Sequence, residues 1–417
     1  MEVWSSSFSL SDYSTSKLKL ELQTSKSCMM TGQVCNEPLK AELAAAPLLR
    51  SFFIGGFECS THRTRSGRRL DLIAATGHDR HALADYARLR ELGISTARDG
   101  LRWHLIEQTP GRYDFSSVLP ILRAARDTGV QVIWDLCHYG WPDDLDIFRP
   151  EFVRRFAALA RAFARLLASE TDAVPFIAPV NETSFFSWIS GDEGIFYPYA
   201  RGRGDELKRQ LVRAAIEGIE AVWGVNPQAR FVHTDPVINV IAHPDRPQDA
   251  AAAEGYRQSQ YAAWDMLCGR LCPQLGGDEK YLDILGLNYY LHNQWFYPDR
   301  TMILPPHPLY RPLRNLLREV YERYGRPMFI AETGIEDELR PAWLRFVGRE
   351  VRAAIRAGVP VEGVCLYPIV NYPGWEDDRH CYNGLWDYPD EAGQREAYDP
   401  LSCELRRQMR LIEKLRP

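Results

Sequence analysis

The sequence predicts a (β/α)8 barrel, the α/β fold in which eight parallel strands are each followed by a helix. From residue 51 onward, eight short runs rich in β-forming residues alternate with amphipathic helical stretches. Several helical stretches end in glycine directly before the next apolar run, as in Leu92-Gly-Ile94 and Thr128-Gly-Val130. Glycine accepts the left-handed conformation that ends a helix, so these positions indicate helix-to-strand turns.

The predicted strands are continuous apolar runs, a pattern typical of strands buried on both faces. They lie at 51–58, 95–99, 130–136, 174–180, 230–234, 282–288, 327–331 and 361–367. Apolar residues that recur every three or four positions predict the helices between them, most clearly at 81–92, 117–128, 150–169, 207–223 and 342–357. An open doubly wound sheet is the structural alternative, but no Gly-x-Gly-x-x-Gly turn follows the first strand.

Two regions of different composition divide the chain. Residues 49–417 carry the barrel pattern and are predicted to form one catalytic domain. Residues 1–48 are expected to be a weakly ordered N-terminal extension. Serine, threonine and lysine dominate them from Ser5 to Ser27, and no apolar period persists there.

Composition excludes several functional classes. The 417 residues are 45% hydrophobic and 25% charged, as in ordinary soluble proteins. A formal net charge of −5 provides no basic surface for nucleic acid. No apolar run reaches the length of a membrane span, and the N-terminus lacks a signal-peptide pattern. Nine scattered cysteines, an odd number, predict reduced thiols in a cytoplasmic protein.

Polar and aromatic residues gather at the ends of the predicted strands, where barrels concentrate their chemistry. They suit a neutral, polyhydroxylated ligand and include Glu58, His62, Arg98, His138, Trp141, Asn181, Glu182, Asp235, Asn288, Tyr290, Glu332 and residues 367–375. Two of them, Glu182 and Glu332, are glutamates that end buried strands about 150 residues apart. Glycoside cleavage requires such a pair, because one carboxyl protonates the leaving oxygen and the other attacks the sugar carbon.

Five segments, in order, resemble motifs of glycoside hydrolase family 1, the β-glucosidase family. They are Thr96-Ala-Arg-Asp-Gly-Leu-Arg-Trp103, Leu136-Cys-His-Tyr-Gly-Trp-Pro142, Pro179-Val-Asn-Glu182, Leu285-Gly-Leu-Asn-Tyr-Tyr290 and Ile330-Ala-Glu-Thr-Gly334. The resemblance runs from about Phe52 to Trp386. It implies a retaining glycoside hydrolase that cleaves a β-linked O-glycoside at the chain end by double displacement.

By this resemblance, Glu182 is the acid/base and Glu332 the nucleophile. Arg98 would keep Glu332 ionised and Tyr290 would orient it. Asn181 would bind the sugar 2-hydroxyl and His138 another ring hydroxyl. The remaining expected substrate-binding residues are His62, Asn288, Trp375 and Glu376.

The chain departs from the family pattern in three places. Thr183 replaces a proline after the first glutamate, and His62 stands where the family has a sugar-binding glutamine. After the eighth strand, Trp375-Glu376 reverses the family's Glu-Trp order. In the family, the position of His62 and the segment after the eighth strand hold the distal hydroxyls of the sugar, so plain β-glucoside is not expected to be the best substrate.

Alternative interpretations remain for several residues. Arg98 could be the structural ion-pair partner of Asp99 or Asp135. Histidines 62 and 138 could be satisfied polar residues, or metal ligands with His78 and His81. No ligand set has a recognisable spacing, so neither a metal nor a cofactor is expected. The functional alternatives are a non-catalytic sugar-binding barrel, a transglycosylase and an endo-acting glycanase of the same clan.

Overall fold

A closed barrel of eight parallel strands forms the core of the computed structural model, which describes residues 47–415. The barrel strands are β1 (Phe53–Gly56), β2 (Thr96–Gly100), β3 (Gln131–Cys137), β4 (Phe176–Val180), β5 (Arg230–Pro236), β7 (Ile284–Asn288), β9 (Met328–Thr333) and β10 (Val361–Leu366). Outside the barrel lie β6 (Asn239–Ala242), β8 (Gln294–Tyr297), β11 (Tyr372–Pro373), β12 (His380–Cys381), β13 (Trp386–Pro389) and β14 (Arg395–Ala397). The barrel closes in the order β1-β10-β9-β7-β5-β4-β3-β2, so the chain winds around it once.

Helices surround the barrel. They are α1 (Leu72–Ala75), α2 (His78–Glu91), α3 (Trp103–Ile106), α4 (Leu119–Thr128), α5 (Pro150–Glu170), α6 (Thr183–Ser187), α7 (Gly204–Trp223), α8 (Ala250–Gln258), α9 (Ala262–Leu267), α10 (Leu313–Tyr324), α11 (Arg340–Arg356) and α12 (Asp399–Glu413). No helix among residues 47–415 combines the length and the apolar character needed to cross a membrane.

The predicted (β/α)8 fold is confirmed. All eight predicted strands are present, with ends that differ from the prediction by no more than two residues. The five helices predicted most clearly correspond to α2, α4, α5, α7 and α11. Gly129 ends α4 with φ 68°, as the helix-to-strand turn requires.

The barrel interior is filled by apolar side chains from alternate strand positions, including Ile54, Ile133, Val232 and Phe329. A larger apolar layer lies between the barrel and the helices. Helices α5 and α7 approach closely here, because a Cβ atom at Gly218 would lie 2.7 Å from the ring of Phe156. This packing leaves the polar chemistry to the carboxyl ends of the strands.

The expected N-terminal extension, residues 1–48, falls almost entirely outside the described residues. Of it, the structure describes only positions 47 and 48, and Leu48 packs against the apolar interior of the barrel. The seven cysteines among residues 47–415 are all free thiols.

Candidate active site

Glu182 and Glu332 lie at the carboxyl ends of β4 and β9 and line one cavity. Glu182 is the second residue after β4 and has φ 46°, a left-handed conformation that is strained for a residue with a side chain. Its backbone N–H donates to the carbonyl of Thr234 at 3.0 Å. The carboxylate of Asp235 accepts a bond from Ser184 N at 3.0 Å, which fixes the start of α6 just after Glu182.

Glu332 is held by a buried cation and a tyrosine. Arg98 Nη1 lies 2.7 Å from Glu332 Oε1, and the Tyr290 hydroxyl donates to Oε2 at 2.9 Å. The same guanidinium donates to both oxygens of Asp135, at 3.1 and 2.7 Å. Burial opposes the charge on Arg98, but Asp135 and Glu332 outweigh it and raise the pKa of the guanidinium. Arg98 is therefore an ion-pair partner of Asp135 and of Glu332 at once.

Glu182 lies in a contrasting environment. Asn288 Nδ2 donates to Oε1 at 2.8 Å, and the Tyr139 hydroxyl donates to Oε2. The structure pairs this carboxyl with no arginine or lysine among the described residues. Burial, and then the negative charge of Glu332, raise the pKa of Glu182 well above its ordinary value. One carboxyl is thus stabilised as an anion while the other is favoured as the acid.

Asn181 and His138 form a network behind the two glutamates. The side-chain oxygen of Asn181 accepts bonds from Arg98 at 2.6 Å and from Thr234 at 2.8 Å. Its amide nitrogen lies 2.9 Å from His138 Nε2 and 2.9 Å from the Tyr139 hydroxyl. A proton on His138 Nδ1, which lies 3.0 Å from Asp135, is consistent with this pattern because Nε2 then accepts from Asn181.

The cavity brings together five of the ten expected site residues. Its lining consists of Glu58, His138, Tyr139, Glu182, Phe185, Pro236, Tyr290, His292, Asn293, Glu332 and Trp375. The side chains of Arg98, Asn181 and Asn288 contact these residues without lining the cavity.

The two remaining expected residues lie elsewhere. His62 is buried and stacks on Phe196 with the ring centroids 3.9 Å apart, and its ring meets Trp375 edge-on at 4.8 Å. Burial lowers the pKa of His62 well below its ordinary value. Glu376 is exposed to solvent and is not a lining residue.

Glu58, named above among the polar strand-end residues but given no role, also lines the cavity. Four further lining residues that could bear on ligand binding were not expected: Tyr139, Phe185, His292 and Asn293. Tyr139 follows the end of β3, so its position alone could have identified it. Phe185 lies in α6, one turn after Glu182. Residues 292 and 293 come from the loop after β7, where the sequence shows no periodic signal.

A second cavity of about 220 Å³ adjoins the first and shares Phe185 and Pro236 with it. Its lining is largely aromatic and polar and includes Trp188, Trp295, Tyr256, Ser184, Ser187, Gln260, Asp192, Asp205 and Lys208. Trp188, directly after α6, and Trp295, in β8, therefore lie at this cavity. Trp141 is instead buried, with its indole N–H bonded to the carbonyl of Leu145 at 2.8 Å.

The four histidines considered above as metal ligands do not form a common ligand group among residues 47–415. Among residues 47–415, the structure assembles Cys59, Asp135 and His138 within 4.8 Å of one another. Asp135 already pairs with the guanidinium of Arg98, which disfavours a second cation. His78 lies apart, bonded to Asp85 at 2.8 Å and to Asp99 at 2.7 Å.

Comparison with known proteins adds structural neighbours. No protein-family model and no curated protein matches the chain. A family 1 β-glucosidase from Thermotoga maritima has a TM-score of 0.70 and 15% identity, over 87% of this chain and 98% of that one. The AHE enzyme from Alicyclobacillus herbarius has a TM-score of 0.72 and 18% identity, over 89% of this chain and 100% of that one.

A further neighbour is the Thermotoga maritima β-glucosidase in complex with glucoimidazole, with a TM-score of 0.68 and 15% identity over 84% of this chain and 90% of that one. These proteins share the (β/α)8 barrel fold with the chain. Several of the similar structures are of β-glucosidases. At identities of 15–18%, the similarity shows a shared fold alone.

Proposed function

We propose that this protein is a retaining β-glycoside hydrolase of the family 1 type, with Glu332 as the nucleophile and Glu182 as the acid/base. The observation that carries the proposal is the pair of strand-end glutamates that face one cavity in opposite electrostatic environments. The fold shared with β-glucosidases supports it.

In the first step, Glu332 attacks the anomeric carbon and forms a glycosyl ester. The bond between that carbon and the leaving oxygen breaks, and the proton of Glu182 passes to the oxygen. Arg98 and Tyr290 hold the attacking carboxylate in one orientation. The raised pKa of Glu182 favours the protonated carboxyl that this step requires.

In the second step, water hydrolyses the ester. Esterification removes the charge of Glu332, which is the second cause of the raised pKa of Glu182. The pKa of Glu182 therefore falls, and the carboxyl stays ionised after it has protonated the leaving oxygen. As a carboxylate it takes a proton from water while the water oxygen attacks the anomeric carbon. The sugar leaves, and both carboxyl groups return to their first states. For this retaining chemistry we expect a carboxyl separation of about 5–5.5 Å, against about 6.5–9.5 Å for inversion.

We assign the sugar to the Trp375 side of the cavity, where aromatic rings pack together, and this packing favours action at a chain end. Trp375 lines the cavity, and the rings of His62 and Phe196 pack against Trp375 at 4.8 and 5.7 Å. The free space is about 50 Å³, less than the roughly 150 Å³ that holds benzene, so side chains move when a sugar ring enters. Phe185 is half-buried and is the expected moving part.

The second cavity is the proposed site of the leaving group. It begins at Phe185, three residues after the proposed acid, and its space of about 220 Å³ admits an aromatic ring. Trp188 and Trp295 offer apolar faces to such a group. The same space could hold a sugar acceptor. Analysis of the reaction products distinguishes the transglycosylase alternative, because a transglycosylase yields a new glycoside and a hydrolase yields the free sugar.

Hydrolysis of a panel of aryl β-glycosides tests the proposal, with gluco-, galacto-, manno-, fuco- and xylo-configured sugars. We expect cleavage with retention, and we expect Glu332→Gly to abolish it while leaving the fold intact. Azide should restore turnover of this variant by replacing the missing nucleophile. A protein that binds these sugars without cleaving any of them would be the non-catalytic alternative.

A further inference from the structure

A third carboxyl group lies in the catalytic cavity. Glu58 follows the end of β1, is 4% exposed and lines the cavity together with Glu182 and Glu332. Its Oε1 accepts a bond from Ser60 N at 2.9 Å and lies 3.7 Å from His138 Nε2. Among residues 47–415 the structure gives Oε2 no hydrogen-bond partner, so this oxygen remains available to a ligand.

Several buried polar atoms without partners belong to residues of this region. Buried atoms that lack a hydrogen bond include Ser60 Oγ, the hydroxyls of Tyr367 and Tyr372, Trp375 Nε1, Asn288 Oδ1 and both ring nitrogens of His62. Trp375 lines the cavity, and the ring of Tyr367 stacks on that of the lining residue His138 with the centroids 6.2 Å apart. Unpaired buried groups are costly, and a cluster of them indicates a ligand rich in hydroxyls.

Glu376, the carboxylate expected at the distal sugar site, does not line the cavity in this structure. Glu376 is exposed, whereas its neighbour Trp375 is 7% exposed and lines the cavity. The carboxyl on this side of the cavity comes from β1 instead. The cavity thus holds one carboxyl besides the proposed catalytic pair.

We propose that Glu58 binds hydroxyl groups of the sugar ring and selects neutral sugars over anionic ones. The proposal rests on the hydrolase function above. Burial raises the pKa of Glu58; in its ionised form the carboxylate accepts bonds from two hydroxyls. A uronic acid or a phosphorylated sugar would bring a further negative charge into a buried site that already holds three carboxyl groups.

The test compares Glu58→Gln with a matched control, Glu376→Gln, which makes the same change at the exposed neighbour of Trp375. Both are assayed on the best neutral aryl β-glycoside, on its monodeoxy analogues and on the matching aryl β-glucuronide. Glu58→Gln should lower kcat/KM on the parent by about 10- to 100-fold, the loss expected for a hydrogen bond to a charged group. On the analogue that lacks the bound hydroxyl, the loss should shrink to about threefold or less.

The ratio of glucuronide to neutral activity should rise at least about tenfold in Glu58→Gln, because the repelling charge is gone. Glu376→Gln should stay within about twofold of the wild type on every substrate, as expected for an exposed side chain. An equal loss on the parent and on all deoxy analogues would overturn the proposal, because a merely structural role predicts that pattern. Unchanged activity of Glu58→Gln would also overturn it.

A binding experiment separates this proposal from the hydrolase proposal. If the wild type cleaves no glycoside, calorimetry with deoxynojirimycin and its deoxy analogues still measures the hydroxyl contact. In this case Glu58→Gln should bind deoxynojirimycin more weakly than the wild type does, and the two proteins should bind one of its deoxy analogues equally well. That result would support the role of Glu58 even though the hydrolase proposal had failed. Absence of both cleavage and binding would overturn both proposals.

Discussion

Replacing Arg98 with lysine tests how the site holds its nucleophile. Arg98 donates five hydrogen bonds: two to Asp135 and one each to Glu332, Asn181 and the carbonyl of Ala331. A lysine ammonium has three donors, so at least two of these bonds are lost. Bonds to charged groups contribute about 1.5–3 kcal/mol each, so the variant should lose about 3 kcal/mol or more of unfolding free energy.

The same change should weaken catalysis. If the bond to Glu332 is lost, kcat/KM should fall by about 10- to 100-fold, because the carboxylate is then neither oriented nor stabilised as before. The assay is kcat/KM on an aryl β-glycoside, with the unfolding free energy measured in parallel. The matched control is Arg395→Lys, since Arg395 is buried and donates two bonds to Asp85 away from the cavity.

Arg395→Lys should lose stability comparably while keeping kcat/KM within about threefold of the wild type. Equal losses of kcat/KM in both variants would mean that the effect acts through the fold. A wild-type kcat/KM in Arg98→Lys would refute the role assigned to the Arg98–Glu332 pair.

Three further predictions address the acid, the second cavity and a buried ion pair. Glu182→Ala should slow poor leaving groups at least about 100-fold and activated dinitrophenyl glycosides far less, because only the former need protonation; equal slowing would contradict the assignment. Trp188→Ala should raise KM for naphthyl glycosides about tenfold and leave methyl glycosides unchanged; equal effects would exclude the second cavity as the leaving-group site. Burial opposes the charge on His78, but Asp99 and Asp85 outweigh it and raise its pKa to about 9. Because this pKa lies above the unfolded value of about 6.5, the stabilisation, on the order of 3 kcal/mol, is fully present below about pH 6.5 and lost as pH rises through about 9. Denaturant titrations from pH 6 to 10 should show this loss of unfolding free energy in the wild type. If the unfolding free energy of His78→Gln fell equally steeply with pH, the assignment to His78 would be disproved.

The barrel and its catalytic pair could be predicted because both depend on local patterns. Buried parallel strands appear as continuous apolar runs, and the first polar residues after them meet at one end of a barrel. Glu182 and Glu332 are such residues. Tyr290 and His138 were expected in the cavity for the same reason, and they line it.

The loops could not be predicted in the same way. Trp375 and Glu376 are neighbours in a non-periodic segment, yet tertiary packing buries one and exposes the other. Strands β6 and β8 pair in parallel outside the barrel although 51 residues separate Ala242 from Gln294, and Trp295 of β8 lines the second cavity. Contacts between distant loops determine these positions, and no local pattern records them.

The identity of the nucleophile is tested most directly by trapping the glycosyl-enzyme. An activated 2-deoxy-2-fluoro-β-glycoside should form the ester and hydrolyse slowly, because fluorine destabilises the positively charged transition state of both steps and the good leaving group offsets this only in the first. Mass spectrometry of the digested protein should then find one fluoroglycosyl group, on the peptide that contains Glu332. A label on Glu182 or Glu58, or turnover of ordinary substrates with no label at all, would contradict the proposed double displacement at Glu332.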